Sequence, residues 1–327
     1  MSSLIGFYKK IWKEAGSELN ANFEELAEGV WKISHADHST MIDNYIVQLD
    51  DPVVLNIAGR KSLCSSILKE AGLTVPEHVI YTIENIDKAF KFMESVDGCF
   101  VVKPSDFTSG GRGISTHIKT KKECKRASAL ASLYSKEIII ERLIPGESYR
   151  LLILNGSMIQ ASRRSGLRIK GDGSSTIKEL IAGKANEFTK GSTNHYLPNN
   201  DGDLDATLSA QGLTIETIPE PCTEVLAKST CKYTDRYVEF RTVYNEDVTA
   251  VISSELKAQA ERAAKALGSV FAGVDIITLD PSLSLEDTGG AIVEVNTTPG
   301  LHHHYNLLNG PEISPAVQVL KYLLKIN

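Results

Sequence analysis

The sequence lacks the features that mark membrane, secreted and nucleic-acid-binding proteins. Its 327 residues contain no run of the about 20 apolar residues that a membrane span needs. The apolar residues near the N-terminus are interrupted by Lys9, Lys10 and Lys13, which is not the layout of a signal peptide. Lys and Arg total 35 against 41 Asp and Glu, so the chain lacks the positive charge that nucleic-acid binding usually requires. We therefore expect a cytoplasmic protein with no membrane or nucleic-acid partner.

Metal-binding cysteine pairs and the commonest catalytic motifs are also missing. The five cysteines form no C-x-x-C pair and are odd in number, which disfavours structural zinc and a disulfide framework. The chain has neither the G-x-S-x-G of serine hydrolases nor the G-x-x-x-x-G-K-[ST] of a P-loop. What remains is an ordinary globular composition, 42% hydrophobic and 23% charged, with a length typical of about two domains.

Strand and helix signals alternate along the chain. The predicted strands are 45–49, 79–82, 100–103, 138–141, 149–154, 157–163, 274–279 and 291–296. The predicted helices are 7–26, 60–71, 86–96, 121–134, 254–267 and 314–326. Residues 50–52 predict a turn, and residues 190–212 contain so many turn formers that we expect a binding loop or a mobile segment.

The last two predicted strands carry side chains whose oxygen atoms could bind a metal ion. Glu294 and Asn296 are two residues apart, so on a strand they point to the same face. Asp275 takes the corresponding position on the neighbouring predicted strand. Such a set, without thiolate or imidazole, suits Mg²⁺ that is completed by water and nucleotide phosphate. Solvent-facing polar residues at strand ends are the alternative interpretation.

A lysine at a strand end precedes a glycine-rich loop. Lys103 ends its predicted strand, and the loop contains Ser109, Gly110, Gly111 and Gly113. Glycines let backbone N–H groups approach phosphate oxygens, and the lysine adds a positive charge. The pattern is typical of phosphate binding, although a glycine-rich loop alone is equally typical of a turn.

The strand at 138–141 runs into a short hinge that carries Glu141 and Glu147. Such a hinge can offer backbone groups to an adenine edge and a carboxylate to ribose hydroxyls. A buried strand that simply leaves the core has the same pattern.

Two arginines fall on a predicted hairpin. The dipeptide Asn155-Gly156 is the strongest two-residue turn signal, and its register makes Arg150 and Arg163 diagonal neighbours on one face. Two guanidinium groups there would repel each other unless a phosphate or carboxylate lay between them. Exposed arginines without a ligand are the alternative.

The order of these signals resembles the ATP-grasp superfamily of carboxylate–amine ligases. That order is lysine and glycine loop, hinge glutamate, arginine hairpin, aspartate, and then Glu-x-Asn-x-x-Pro-Gly. The sequence is most similar to the ligase module of cyanophycin synthetase and of bifunctional glutathione synthetase. The resemblance covers about residues 58–327, and it rests on KPSDFTSGGRGI, ERLIPGESYRLLILN, the GDG segment at 171–173 and, most specifically, GGAIVEVNTTPGL.

The resemblance implies an α+β ATP-grasp fold, in which two α+β subdomains clasp ATP after a short N-terminal region. The implied divisions are a short N-terminal region and linker helix at 1–72, a lid subdomain at 73–143 and a C-terminal subdomain with the metal site at 144–327. Carried over by position, it also implies nucleotide contacts. Lys61 and Lys103 would contact ATP phosphates beside the glycine loop, Glu141 and the Leu143 backbone the adenine, and Glu147 the ribose.

The resemblance further implies which residues act in the chemistry. Arg150 and Arg163 would lie near the transferred phosphate or the acceptor carboxylate, and are the candidate catalytic residues. Asp275, Glu294 and Asn296 would bind two Mg²⁺, with Mn²⁺ as an alternative ion. His304 matches a histidine of the resembled modules, where a hydrogen bond to substrate or to the closing loop is the expected role.

The implied activity is that of an ADP-forming ligase that makes an amide or peptide bond through an acyl phosphate. An amino acid or small peptide is the expected substrate. A carrier protein or peptide as the substrate, and a nucleotide-binding module without catalysis, are the alternatives. A homodimer is a candidate oligomeric state.

Overall fold

The computed structural model describes residues 2–105, 113–164, 166–188, 202–228, 245–305 and 314–326. The chain forms two compact units, each made of separate segments. The first unit comprises 1–76, 144–163 and 245–327, and the second comprises 77–143 and 164–244. This division differs from the consecutive segments expected from the sequence, because the N-terminal region shares a core with the C-terminal part of the chain.

The helices are α1 (Ser2–Glu18), α2 (Pro52–Ala58), α3 (Lys61–Glu70), α4 (Asp87–Ser95), α5 (Lys121–Ala131), α6 (Ile177–Phe188), α7 (Gly202–Ala210), α8 (Ser254–Ala266), α9 (Leu285–Thr288) and α10 (Pro315–Leu323). The strands are β1 (Asn22–Ala27), β2 (Val30–His35), β3 (His38–Asp43), β4 (Ile46–Val47), β5 (His78–Tyr81), β6 (Phe100–Pro104), β7 (Ser115–Ile118), β8 (Ile138–Arg142), β9 (Glu147–Leu154), β10 (Ser157–Arg164), β11 (Leu167–Lys170), β12 (Glu224–Lys228), β13 (Asn245–Asp247), β14 (Phe271–Thr278) and β15 (Ala291–Thr297). Within the described residues, no helix combines the length and the hydropathy needed to cross a bilayer.

The first unit is built around a sheet with the strand order β13-β10-β9-β14-β15. Alternate residues of its strands point to opposite faces and enter two separate cores. The α8-side core packs one face against α8 and α3, and it contains Tyr149, Leu151, Ile153, Ala161, Val274 and Ala260. The α1-side core covers part of the other face, and it contains Leu152, Leu154 and Phe271 with residues of α1, α10 and the N-terminal strands.

The N-terminal region supplies much of the α1-side core. Strands β1 to β4 form an antiparallel sheet in that order, and α1 packs Tyr8 and Trp12 with Trp31 of β2 in the same core. The sequence predicted one helix over 7–26, whereas α1 ends at Glu18 and β1 follows. The predicted turn at 50–52 is the start of α2, where Asp51 accepts hydrogen bonds from the first-turn amides.

The second unit contains two smaller sheets, each with a core of its own. The sheet β5-β8-β6-β7 packs against α4 and α5, as the alternating pattern predicted, although β7 was not expected. The pair β11-β12 packs against α6 and α7. Helix α7 occupies 202–210, so this part of the predicted 190–212 loop is helical, while 189–201 lie outside the described residues.

Candidate active site

The three predicted metal ligands converge on one face of β14 and β15. The antiparallel register pairs Asp275 with Glu294, and Asn296 lies two residues further along β15. The Asn296 amide nitrogen donates to Asp275 Oδ2 at 3.2 Å and to Glu294 Oε2 at 3.4 Å. Turning the amide by about 180° would present its oxygen to the same point, because the two amide atoms are nearly equivalent in shape. The strand register thus brings these side chains together, as alternation along the strands predicted.

Arg150 holds the carboxylate of Asp275 in a fixed orientation. Strand β9 lies on the other side of β14, and its register places Arg150 opposite Asp275. The Arg150 Nε and Nη2 atoms donate to the two Asp275 carboxylate oxygens, each at 2.7 Å. Both side chains are buried, with 9% and 4% of their surface exposed. A bidentate pair in this environment fixes geometry as well as charge.

Lys61 approaches the same face from the start of α3. Its Nζ atom lies 3.4 Å from Glu294 Oε1. The face therefore combines two carboxylates and an amide with two cationic side chains, from Arg150 and Lys61. Glu294 is the more accessible carboxylate, with 31% of its side chain exposed.

This set of side chains fits a magnesium ion that shares its coordination with phosphate. Among the described residues, no three or more His, Cys, Asp or Glu side chains come together as a metal site. The candidate site has two carboxylates, and its third oxygen donor is an amide. Mg²⁺ is usually bound through one or two carboxylates, with the remaining positions filled by water and substrate phosphates. The donors present match that preference.

The structure corrects the prediction that Arg163 shares a face with Arg150. The Arg163 Nη2 atom pairs with Glu246 Oε2 at 2.5 Å. Ala161, two residues earlier on β10, lies in the α8-side core beside Tyr149. The pKa of Tyr149 is raised by burial, and the nearby Arg163 charge lowers it in part. Arg163 therefore lies on the α8 side of the sheet, whereas the Arg150 side chain lies on the α1 side.

An irregularity in β10 explains why the register expected from the hairpin turn placed Arg163 on the wrong face. Ile159 packs against the α1-side core, but Ala161 lies in the α8-side core, so the alternation breaks between them, as at a β-bulge. Arg164 directly follows Arg163 and projects from the opposite face of β10, where it is only 5% exposed. Arg164 was not among the candidate residues, although adjacent residues on a regular strand project from opposite faces.

In the second unit, Lys103 and Glu141 form an ion pair with each other. The Lys103 Nζ atom lies 2.7 Å from Glu141 Oε1, on the neighbouring strands β6 and β8. The Leu143 N–H donates to the Cys99 carbonyl oxygen at 2.8 Å, so this donor is already used within the unit. These positions are compatible with a nucleotide site, and the predicted contacts with ATP remain a prediction.

Part of the predicted glycine loop has a packing role. Ser109, Gly110 and Gly111 lie outside the described residues. Gly113 has a φ of +71°, and a Cβ atom there would lie 2.7 Å from the Tyr134 ring. Only glycine fits that approach without displacing the ring.

Glu147 begins β9 opposite Thr278. The preceding Gly146 has a φ of +128°, and a Cβ atom there would lie 2.3 Å from the Thr278 carbonyl. The close approach of the two backbones at Gly146 therefore sets the position of Glu147, whose predicted ribose contact remains a prediction.

The three histidines after β15 differ in their burial. His302 is partly buried, His303 is 6% exposed and His304 is fully buried. His302 forms a hydrogen bond with Tyr8 of α1. The expected hydrogen bond of His304 with substrate or with the closing loop remains a prediction.

Comparisons with known proteins identify relatives over most of the chain. No protein-family model matches the chain. It is 30% identical to cyanophycin synthetase from Crocosphaera subtropica over 304 residues, which cover 91% of this chain and 34% of that protein. It is 29% identical to the glutathione biosynthesis bifunctional protein of Enterococcus faecalis over 304 residues, covering 89% of this chain and 39% of that protein.

One solved structure supports the same relationship at the level of fold. A bifunctional glutathione synthetase from Pasteurella multocida superposes with a TM-score of 0.61 at 22% identity, covering 93% of this chain and 41% of that chain. The chain thus spans between 34% and 39% of the length of the two curated relatives above. The resemblance to ATP-grasp ligases and the α+β fold that it implied are both confirmed.

Proposed function

We propose, from the premise that this chain has the α+β fold of the ATP-grasp ligases, that it is an ADP-forming ligase that joins a carboxylate to an amine. The observation that carries this proposal is the convergence of Asp275, Glu294 and Asn296 beside Arg150. A module that only held a nucleotide would not require this set of oxygen donors together with a buried cation.

The proposed reaction activates the carboxylate before the amine attacks it. Amide formation from a carboxylate is unfavourable in water unless one carboxylate oxygen becomes a good leaving group. A carboxylate oxygen would attack the γ-phosphorus of ATP, releasing ADP and forming an acyl phosphate. The amine nitrogen would then attack the acyl carbon, and inorganic phosphate would leave as the nitrogen loses a proton.

The first-unit residues would offset the repulsion between the two anionic reactants. Asp275, Glu294 and Asn296 would hold two Mg²⁺, with Mn²⁺ as a substitute, and these ions would neutralise charge on the transferred phosphoryl group. Arg150 would keep Asp275 in its binding orientation. Lys61 would move from Glu294 to a phosphate oxygen, because a bound cation takes over its role at that carboxylate.

Further residues implied by the resemblance would contact the nucleotide. Lys103 would contact phosphate oxygens with the loop that contains Ser109, Gly110, Gly111 and Gly113. Glu141 and the Leu143 backbone would meet the adenine, while Glu147 of the first unit would meet the ribose. Arg163 is left out of the proposed site, because it pairs with Glu246 on the α8 side of the sheet.

The proposed substrate is an amino acid or a small peptide. One relative is named for glutathione biosynthesis, and we carry the corresponding substrate class to this chain. A carrier protein or a larger peptide is the second substrate class to be tested, together with self-association into a homodimer.

The decisive experiment measures ADP release across a panel of carboxylates, with and without amines. Hydroxylamine serves as a general amine, because it converts an acyl phosphate into a hydroxamate that can be detected directly. ADP and hydroxamate formation with an amino acid or dipeptide would support the proposal. If ADP and hydroxamate formed only with a carrier protein, the substrate would be a protein rather than an amino acid or small peptide. Nucleotide binding without ADP release would indicate a regulatory module. Release of AMP and pyrophosphate would contradict the proposed chemistry.

A further inference from the structure

The segment that follows β15, the strand of Glu294 and Asn296, has an unusual backbone conformation. Thr298 has a φ of +43°, which is uncommon for a β-branched residue. Two residues later, a Cβ atom on Gly300 would lie 2.6 Å from the His302 ring. A chain that adopts such a path needs surrounding contacts that fix it.

This segment also lies beside Gly273, next to which the Arg150 side chain packs. A Cβ atom on Gly273 of β14 would lie 3.0 Å from Pro299 and 3.3 Å from the Arg150 side chain. Pro299 and the Arg150 side chain therefore both border the space that Gly273 leaves open. The turn after Asn296 forms one wall of this space, so its conformation bears on both Asn296 and Arg150.

The anchor of this wall comes from α1. The Tyr8 hydroxyl lies 2.7 Å from His302 Nδ1, and the His302 backbone N–H donates to the same hydroxyl at 3.4 Å. The two rings meet edge to face with centroids 6.1 Å apart. Tyr8 is fully buried, and so is Leu301 beside the histidine. One hydroxyl thus fixes both the ring and the backbone of His302.

Further contacts continue the wall without reaching the metal-site face. The Phe7 ring meets the Tyr305 ring edge to face at 5.9 Å. The Asn245 side chain donates to the His303 carbonyl at 3.1 Å. These contacts hold the end of the segment, whereas Tyr8 holds the residue nearest to the turn at 297–300.

We propose that Tyr8 is a positioning residue for the metal site, and that it acts through its hydrogen bonds with His302 on the turn that follows Asn296. This inference rests on the proposed function only in requiring that the site bind a divalent cation with a nucleotide. The N-terminal helix is thereby a working part of the site. Packing alone would be satisfied by a phenyl ring, so the role belongs to the hydroxyl.

The test uses a readout that does not depend on the substrate. Mn²⁺ is titrated by calorimetry into the full chain saturated with a non-hydrolysable ATP analogue. Tyr8→Phe removes one oxygen and keeps the ring, and we expect the apparent Mn²⁺ dissociation constant to rise about 3- to 10-fold, the range of one buried hydrogen bond. The matched control is Tyr81→Phe, which loses a hydrogen bond of 2.6 Å between a buried tyrosine hydroxyl and Ser128 in another core and should bind Mn²⁺ as the wild type does.

A second pair of variants approaches the same contact from the other side. His302→Asn keeps a polar atom near the position of Nδ1, while His302→Gln places its polar atoms near Nε2 instead. We expect His302→Asn to retain more Mn²⁺ affinity than His302→Gln. This order tests the contact even if Tyr8→Phe does not fold.

The outcomes separate this inference from the function on which it rests. A wild type that binds no Mn²⁺ with the analogue would overturn the proposed function and this inference together. A wild type that binds, with folded Tyr8→Phe binding equally well, would overturn this inference alone. Equal losses in Tyr8→Phe and Tyr81→Phe would likewise overturn it, because the effect would then be general destabilisation.

Discussion

Two arginine–carboxylate pairs lie on opposite faces of the same sheet, and they differ in their surroundings. Arg150 and Asp275 meet through two hydrogen bonds of 2.7 Å with less than a tenth of either side chain exposed. Arg163 and Glu246 pair on the other face with 37% and 34% exposed. Both are cross-strand pairs of opposite charge. Burial is what makes the first one a fixed element of a site and leaves the second one open to solvent screening.

The largest contrast is expected when one partner of the buried pair is removed. Asp275→Ala would leave the Arg150 charge buried without its bidentate partner, at a cost of about 3–5 kcal/mol in the free energy of unfolding. Urea titration measures this loss directly. A loss below about 1 kcal/mol would mean that the pair is in effect as exposed as Arg163 and Glu246.

The next contrast separates binding from stability. Glu294→Gln and Asn296→Ala each remove an oxygen donor from the site at a side chain that is only partly buried, so the fold should remain intact. We expect ATP-dependent turnover to fall by at least the about 10- to 100-fold that loss of a residue supporting a metal ligand costs. Glu246→Gln is the matched control on the opposite face and should keep its turnover. Unchanged phosphate release in both site variants would refute the metal assignment.

An intermediate effect is expected from crowding Arg150. Gly273→Ala would place a Cβ atom 3.0 Å from Pro299 and 3.3–3.4 Å from the Arg150 side chain, so both must move. Overpacking of this kind costs about 1–3 kcal/mol, and turnover should fall because Asp275 moves with Arg150. Gly6→Ala on α1 is the control, since its Cβ would meet nothing within 4 Å and helix propensity predicts a slight gain in stability. Equal unfolding free energies for the two variants would contradict the crowding argument.

The smallest effect is expected from the exposed pair. Glu246→Ala should change the free energy of unfolding by no more than about 1 kcal/mol, and the change should shrink as salt is added. Thermal unfolding at low and high ionic strength provides the measurement. A large and salt-independent loss would show that Arg163 acts as a buried charge after all.

The site could be predicted from the sequence where regular alternation holds. Glu294 and Asn296 share a face because strands alternate with a period of two, and Asp275 joins them because it pairs with Glu294; the register of β14 and β15 shifts only beyond this pair, between Asp275 and Ile276. Arg163 could not be placed by the same rule. The break of alternation between Ile159 and Ala161 depends on how β10 meets β13 and Thr249, whose side chain accepts from the Ala161 N–H at 2.9 Å.

The N-terminal fold was harder to predict because its signals are ambiguous. The strand β1, NFEELA, is almost entirely exposed and lacks the hydrophobic alternation that identifies strands. Asp51 and Pro52 fit a turn and a helix start equally well, since both residue types favour both positions. Helix α7, in a segment rich in Gly, Asp and Asn, forms around Leu204 and Leu208, which bury against β11 and β12. Tertiary packing decided these elements.

Tyr8 and His302 are separated by 294 positions along the chain. During synthesis, α1 leaves the ribosome long before the histidine that it meets, so the Tyr8 hydroxyl has no access to His302 until almost every later segment has been made. Such delayed, distant pairing slows folding and exposes the growing polypeptide to aggregation. We expect production in cells to depend on chaperones, and in vitro refolding yields to fall steeply as protein concentration rises.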